Sequence, residues 1–240
     1  MKFYRKISPI KAISFDLDDT LYSNRPVMVA TEKAMPVFFA EQLSSFVSVD
    51  EPITFDSRYW WPFRTEILSK TKALIHDVTA LRLATYQAGI QSLGASETQA
   101  KQLAEQAMAF FLAKRSEFDV PQSSIDLLTR LRKHVPVVAV SNGNVDTKAI
   151  GIHHLFDHIF HAGNGLAKKP DTDMFFAASE ALSIPCQHIL HVGDCGHADI
   201  LGAHRAGMQT AWLSCYDVGK PIQVLPHIEL DAVSQLNLLF

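Results

Sequence analysis

In the second half of the chain, short apolar runs alternate with helical segments. Residues 135–140, 156–161, 188–192 and 209–213 read as strands, and 172–182 and 198–206 as helices, the latter closed by Gly207. Strands interleaved with helices in this way form a parallel sheet covered by helices on both faces. A further apolar run, Ala12-Ile13-Ser14-Phe15, has the same character near the N-terminus, so five strands are expected in an α/β core.

The first strand is separated from the others by a long stretch of a different kind. Residues 26–43 look helical, with Pro36 expected to kink or end that helix. Residues 44–62 are poorly periodic and rich in aromatics (Phe46, Phe55, Tyr59, Trp60, Trp61), which suggests a loop. A helical pattern resumes over 64–93 and stops at Gly94. Ser96-Glu97-Thr98-Gln99 is a capping box for a helix whose Leu103, Ala107, Phe110 and Phe111 share one face. The division expected is a core of residues 1–23 and 118–240 interrupted by an all-helical insert, 24–117, with boundaries near Ser23-Asn24 and Asp119-Val120-Pro121.

Nearly half of the 240 residues are apolar, which is enough for a sizeable core. A net charge of −3 with scattered Lys and Arg argues against nucleic acid as a partner. No apolar run approaches the ~18 residues of a membrane span, and the first residues lead into Ser8-Pro9 and not into a secretory apolar region. A cytoplasmic location is expected. Cys186, Cys195 and Cys215 are odd in number and form no Cys-x-x-Cys, so reduced thiols are expected in place of disulfides or a zinc thiolate site.

Directly after the first strand comes Asp16-Leu17-Asp18-Asp19-Thr20-Leu21-Tyr22, an anionic turn. Carboxylates so close repel unless a cation or proton lies between them, and their oxygens suit magnesium or calcium. A solvated strand end is the plainer alternative. A calcium-binding helix-loop-helix is excluded, because its glycine and glutamate positions hold Leu21 and Val27.

Ligands of open parallel sheets lie beyond the carboxyl ends of the strands. Those ends carry Asp16 and Asp18, then Ser141-Asn142-Gly143-Asn144, then Lys168-Lys169-Pro170, then Gly193-Asp194 with Asp199 five residues on. Acidic metal ligands, a hydroxyl, backbone N–H groups and an ammonium together suit phosphoryl transfer. No P-loop occurs, and Gly163-Asn164-Gly165-Leu166-Ala167-Lys168 lacks the third glycine of a dinucleotide fingerprint.

In this order and spacing the four motifs resemble those of the haloacid-dehalogenase (HAD) superfamily of aspartate-nucleophile hydrolases. The resemblance implies a Rossmann-like three-layer α/β/α core with a parallel sheet and, in the insert, an all-helical cap domain. It implies a Mg²⁺-dependent phosphatase in which Asp16 is the nucleophile and Asp18 the general acid and base. The metal would be held by Asp16, Asp194 and the backbone carbonyl of Asp18. Ser141, Asn142, Gly143 and Lys169 would bind phosphate, and Thr20 would orient the first loop beside them. Asp199 would steady the metal loop. Cys195 departs from the Asp, Ser or Asn common at that position, which puts metal affinity in question. Asp18 itself favours the phosphotransfer branch over the dehalogenases.

A closer resemblance, covering nearly the whole chain, is carried by Phe3-Tyr4-Arg5, residues 16–22 with Asn24-Arg25-Pro26, His76-Asp77-Val78-Thr79, Asp119-Val120-Pro121-Gln122 and Leu190-His191-Val192-Gly193-Asp194. These look like bacterial phosphatases of flavin metabolism, implying flavin mononucleotide and 5-amino-6-(5-phospho-D-ribitylamino)uracil as substrates. Sugar phosphates or nucleoside monophosphates, with phosphatase or mutase chemistry, are the alternative, and a non-catalytic phosphate-binding protein is a further one. The expected partner is a small phosphorylated metabolite, with the chain a monomer or homodimer.

Other residues admit two readings each. Trp60 and Trp61, with Tyr59 and Phe63, could stack on a flat ring or simply form core. The histidines at 153, 154, 158, 161, 188, 191, 197 and 204 invite a zinc site but lack ligand spacing. Lys168 reads as a solvated neighbour of Lys169. His76 and Arg82 are ester or ring contacts, or surface.

Overall fold

The computed structural model describes residues 1–48, 53–215 and 222–240. The chain divides into two compact units, one of Met1–Asn24, Asp119–Gly143 and Ile150–Phe240, the other of Arg25–Phe118 and Asn144–Ala149. The second thus gains a short piece from the far side of the insert.

The first unit is built on a seven-stranded sheet. In chain order the strands are β1 (Lys2–Phe3), β2 (Ala12–Phe15), β3 (Val137–Ser141), β4 (His158–His161), β5 (Ile189–Gly193), β6 (Gln209–Leu213) and β7 (Ile228–Leu230). They lie side by side in the order β1-β7-β6-β5-β2-β3-β4. All neighbours are parallel except β1 against β7. Five strands match the alternation in the sequence. The two additional ones, β1 and β7, have two and three residues, too few to show a period.

Every residue of β2, β3 and β5 is buried, as continuous apolar runs covered on both faces require. Helices α5 (Gln122–Leu131), α6 (Asp173–Leu182) and α7 (Gly202–Arg205) belong to this unit, and helices cover both sides of the sheet. On one side Met174, Phe175 and Ala178 of α6 pack with Ala12, Val138, Val140 and Ile189. The predicted helix over 198–206 is realised in two pieces: a π-helical turn, Gly196–Leu201, runs into α7, and Gly207 follows at φ +81°. From β2 the chain builds β3 and β4 on one side and then β5, β6 and β7 on the other. Such a reversal opens a crevice at the carboxyl ends of β2, β3 and β5.

The second unit contains α1 (Arg25–Gln42), α2 (Ser57–Lys70), α3 (Val78–Gln91) and α4 (Glu97–Arg115). Helix α1 continues through Pro36, where an end or kink is expected. The proline has no N–H for the Glu32 carbonyl, and the burial of Val27, Thr31, Met35 and Phe39 along one stripe holds the helix on either side of it. The helical pattern over 64–93 is two helices. Asp77 accepts from Thr79 N at 3.1 Å and Ala80 N at 2.8 Å and starts α3 afresh, while Asp56 caps α2 well before residue 64. The Ser96–Gln99 capping box is present at the head of α4. Phe39, Phe55, Trp60, Tyr86, Ile90, Met108 and Phe111 form the core of this unit. Among the described residues no helix is long and apolar enough to cross a membrane, and the three cysteines are free thiols.

Candidate active site

Strand β2 ends at Phe15, and the next residue, Asp16, is tied to β5 by its N–H, which donates to Val192 O at 2.9 Å. The chain then turns tightly. Leu17 O accepts from Thr20 N and Leu21 N, and Asp19 takes a left-handed φ of 58°, a conformation that Asp tolerates better than most residues. The turn is locked by side chains: Asn24 N donates to Asp19 Oδ1 at 2.8 Å, and the buried Tyr22 hydroxyl donates to Asp18 Oδ1 at 2.9 Å. Asp16 and Asp18 are thus held on a short, rigid loop.

The other strand ends converge on Asp16. Lys169, from the loop after β4, is buried and spends its three ammonium protons on Asp16 Oδ1 at 2.7 Å, Asp199 Oδ1 at 2.6 Å and Val140 O at 2.6 Å. Its backbone is clamped by Asn142, whose Oδ1 accepts from Lys169 N at 2.7 Å and whose Nδ2 donates to Lys169 O at 3.0 Å. Ser141 Oγ accepts from Gly143 N at 3.1 Å, and Gly143 O is in turn bonded to His161 Nδ1 at 2.9 Å. No helix starts after Ser141: residues 142–151 form bends and turns, with Asp146 accepting from Lys148 N and Ala149 N. An isolated turn of this sort exposes backbone N–H groups as a helix end would, without the helix behind it.

At the end of β5, Gly193 is dictated by packing, since a Cβ there would lie 2.3 Å from Asp199 Cγ. Asp199 is saturated. Oδ1 accepts from Lys169 and from His191 Nε2 at 3.2 Å, and Oδ2 from Cys195 N at 3.0 Å. Cys195 Sγ accepts from Ala198 N at 3.4 Å, so the thiol caps the π-helical turn. Thr20 Oγ1 donates to Asp194 Oδ1 at 3.4 Å, which ties the first loop to the last.

Three buried carboxylates, Asp16, Asp194 and Asp199, bring ligand atoms within 4.8 Å of one another. One ammonium cannot balance them. Burial, with Asp199 and Asp194 adding to it against Lys169, pushes Asp16 well above the usual carboxylate range. Burial and Asp199 push Asp194 to about 7. Burial opposes the charge of Lys169 and of Asp199 too, but in each the opposite partners win: Lys169 rises above the ordinary lysine value, and Asp199 is held well below the carboxylate range. The charge left over sits on Asp16 and Asp194, whose oxygens suit a hard divalent cation. Asp199, with its oxygens already engaged, supports the pair and is not itself an available ligand.

The family model that describes a haloacid dehalogenase-like hydrolase matches residues 10–207. The chain belongs to the haloacid dehalogenase-like hydrolases. The 5-amino-6-(5-phospho-D-ribitylamino)uracil phosphatase YigB of Escherichia coli is 36% identical over the full length of both chains. The N-acylneuraminate-9-phosphatase of Rattus norvegicus is 23% identical, covering 97% of this chain and 94% of its own. Among solved structures, a 2-haloacid dehalogenase from Pseudomonas syringae superposes with a TM-score of 0.88 at 28% identity, over 96% of this chain and 97% of the other.

In this hydrolase the structure joins Asp16, Lys169 and Asp199 by hydrogen bonds and Thr20 to Asp194 by another, with the carboxylates of Asp16, Asp194 and Asp199 close together and Asn142 clamping Lys169. His191 is the residue that motif reasoning missed. Its ring joins Ser14 Oγ, 2.5 Å from Nδ1, to Asp199, and the β2–β5 register sets Ser14 and His191 side by side. Because Asp199 is ionised, Nε2 carries the proton, and Nδ1 accepts from the Ser14 hydroxyl. Burial keeps this imidazole below its ordinary pKa and hence neutral. A single polar residue in each of two otherwise apolar strands, Ser14 in β2 and His191 in β5, was the available signal. Among the described residues the one group able to hold a metal contains no histidine. Trp60 is core, packed on Phe39 and Tyr86, whereas Trp61 is 66% exposed.

Proposed function

We propose that this hydrolase is a Mg²⁺-dependent phosphatase of small phosphate monoesters that works through an aspartyl-phosphate. The observation that carries the reading is the Asp16 carboxylate, buried at a strand end, fixed at 2.7 Å from the Lys169 ammonium and flanked by Asp194. Asp16 attacks phosphorus, a new Asp16 O–P bond forms, and the ester P–O bond breaks. Asp18, whose orientation Tyr22 fixes, gives its proton to the departing alkoxide. It then removes a proton from the water that attacks the aspartyl-phosphate, and inorganic phosphate leaves with Asp16 restored.

Lys169 and the N–H groups of the turn after Ser141 stabilise charge on the phosphoryl oxygens. Asp16 and Asp194, with the Asp18 carbonyl, would hold Mg²⁺, which when bound lets two anions approach. On this reading the helical insert is the cap domain that the family resemblance implies.

Flavin mononucleotide and 5-amino-6-(5-phospho-D-ribitylamino)uracil are the favoured substrates. Full-length similarity to a relative named for the second compound supports this, together with motifs shared across insert and core. The relative named for N-acylneuraminate 9-phosphate supports a second reading, a sugar phosphate, with the same chemistry. The test is phosphate release from a panel of these compounds and nucleoside monophosphates, with Mg²⁺ or chelator, in wild type and Asp16→Asn. We expect one flavin-pathway compound to lead in kcat/KM and both chelator and Asp16→Asn to abolish release. Metal-dependent but unselective release would remove the substrate assignment, and an active Asp16→Asn would remove the mechanism.

A further inference from the structure

Asp194 offers its carboxylate to the proposed cation site from a thinly tethered position. The β5–β6 pairing stops at Gly193 and Trp212, so Asp194 lies one residue past the ladder. On its side chain, Thr20 Oγ1 donates to Oδ1 at 3.4 Å, near the limit of a hydrogen bond. Asp16 and Asp199 bring carboxylate oxygens within 4.8 Å of it. Like charges so close turn an untethered side chain away from its neighbours, and a group that must be ordered on binding lowers the affinity of its site.

Trp212 meets this need. It is the half-buried member of β6, whose other four residues are buried, and the register sets it beside Gly193. Its indole Nε1–H donates to the backbone carbonyl of Asp194 at 2.7 Å, shorter than the ~2.9 Å usual for N–H···O. Filling space at this place asks only for an apolar ring, and a half-buried indole is free to send its one donor to water. The donor goes instead to a carbonyl just beyond the ladder. The bond fixes the backbone from which the Asp194 side chain springs, which the longer Thr20 contact on the carboxylate does not.

We propose that Trp212 is a positioning residue of the metal site: by holding the Asp194 carbonyl it keeps the carboxylate beside that of Asp16 before a cation arrives, and so sets the affinity for Mg²⁺. The inference rests on the reading of Asp194 as a Mg²⁺ ligand given above. Trp212 acts here through Asp194 alone. Groups that orient a metal ligand from behind are worth about ten- to a hundred-fold in metal affinity. An anchor on the backbone acts less directly than a bond to the carboxylate, so the effect expected is at the lower end of that range.

The test uses the full chain. Trp212→Phe removes the donor, and 3-benzothienylalanine, introduced at position 212 by nonsense suppression, keeps the shape of the indole with sulfur in place of the N–H. Mg²⁺ is titrated into wild type and both variants by calorimetry, and turnover of p-nitrophenyl phosphate is followed from limiting to saturating Mg²⁺. We expect the Kd for Mg²⁺ to rise about ten-fold in both variants, and the kcat lost at limiting Mg²⁺ to return at saturation. A merely structural lesion would lower kcat at every Mg²⁺ concentration. If Trp212→Phe does not fold, as judged by circular dichroism, the benzothienyl protein, which keeps the ring, decides.

An unchanged Kd in the benzothienyl protein, or a loss of kcat that saturating Mg²⁺ does not restore, overturns the proposal. Its failure and that of the metal reading look different. If wild type and the benzothienyl protein bind Mg²⁺ equally well, the part given to Trp212 falls and the metal reading stands. If wild type binds no Mg²⁺, the metal reading falls and this inference falls with it.

Discussion

His191 shows how one buried side chain reaches the nucleophile without touching it. Ser14 fixes its tautomer, its Nε2–H holds Asp199, Asp199 holds Lys169, and Lys169 holds Asp16. The neutral imidazole has a pH signature. Its folded pKa lies below the ordinary 6.5, so below that value the unfolded chain binds a proton that the folded chain refuses. Stability therefore falls as pH drops through 6.5 and goes on falling until the folded pKa is reached. His191→Gln, which keeps a donor but cannot titrate, should flatten that part of the stability curve. Chemical denaturation of both proteins from pH 5 to 8 measures it, on the order of 1.4 kcal/mol per pH unit at most from one proton. Parallel curves would show that folding leaves the His191 pKa unshifted.

At the scale of elements, the site depends on β5 ending against the π-helical turn that follows it. Gly193 permits this contact, since any Cβ would overlap Asp199. Gly193→Ala should therefore lower stability by at least the ~1–3 kcal/mol of an overpacked site, and lower kcat by moving Asp199 off Lys169. Thermal denaturation and steady-state turnover read the two effects, and a variant matching wild type in both would mean that the turn can give way. The same turn explains Cys195. Its thiol accepts from Ala198 N, a capping task that Asp, Ser or Asn also performs, so the unusual residue keeps the local structure.

For the whole molecule, the cluster of Asp16, Asp194 and Asp199 against one lysine gathers more negative charge than the lysine offsets, so a divalent cation bound there would add to stability. Mg²⁺ at a hundred times its Kd should add about 2.7 kcal/mol, seen as a higher Tm that chelator reverses. Asp194→Asn should lose most of that rise, yet melt no lower than wild type in chelator, because it removes one of the repelling carboxylates. A wild-type Tm indifferent to Mg²⁺ would count against a metal at this cluster.

Much of this hydrolase was legible from local pattern. Runs such as Val137-Val138-Ala139-Val140 announce buried strands, Ser96 and Gln99 announce a helix start, and the acidic turn, Lys169 and Gly193-Asp194 stand at strand ends where ligands are bound. Such features are recorded within a few residues because backbone geometry and capping act over a few residues. What remained hidden depends on contacts across the chain. Lys169 and Asp16 are 153 positions apart, the Asn142 clamp on the Lys169 backbone spans 27, and Ser14 meets His191 only through the β2–β5 register. Pro36 inside α1, and Arg82 laid over Phe111 with its Nε–H unpaired, were likewise decided by packing. A sequence states which side chains are available, whereas which of them share a buried, low-dielectric space follows from how distant segments pair and pack.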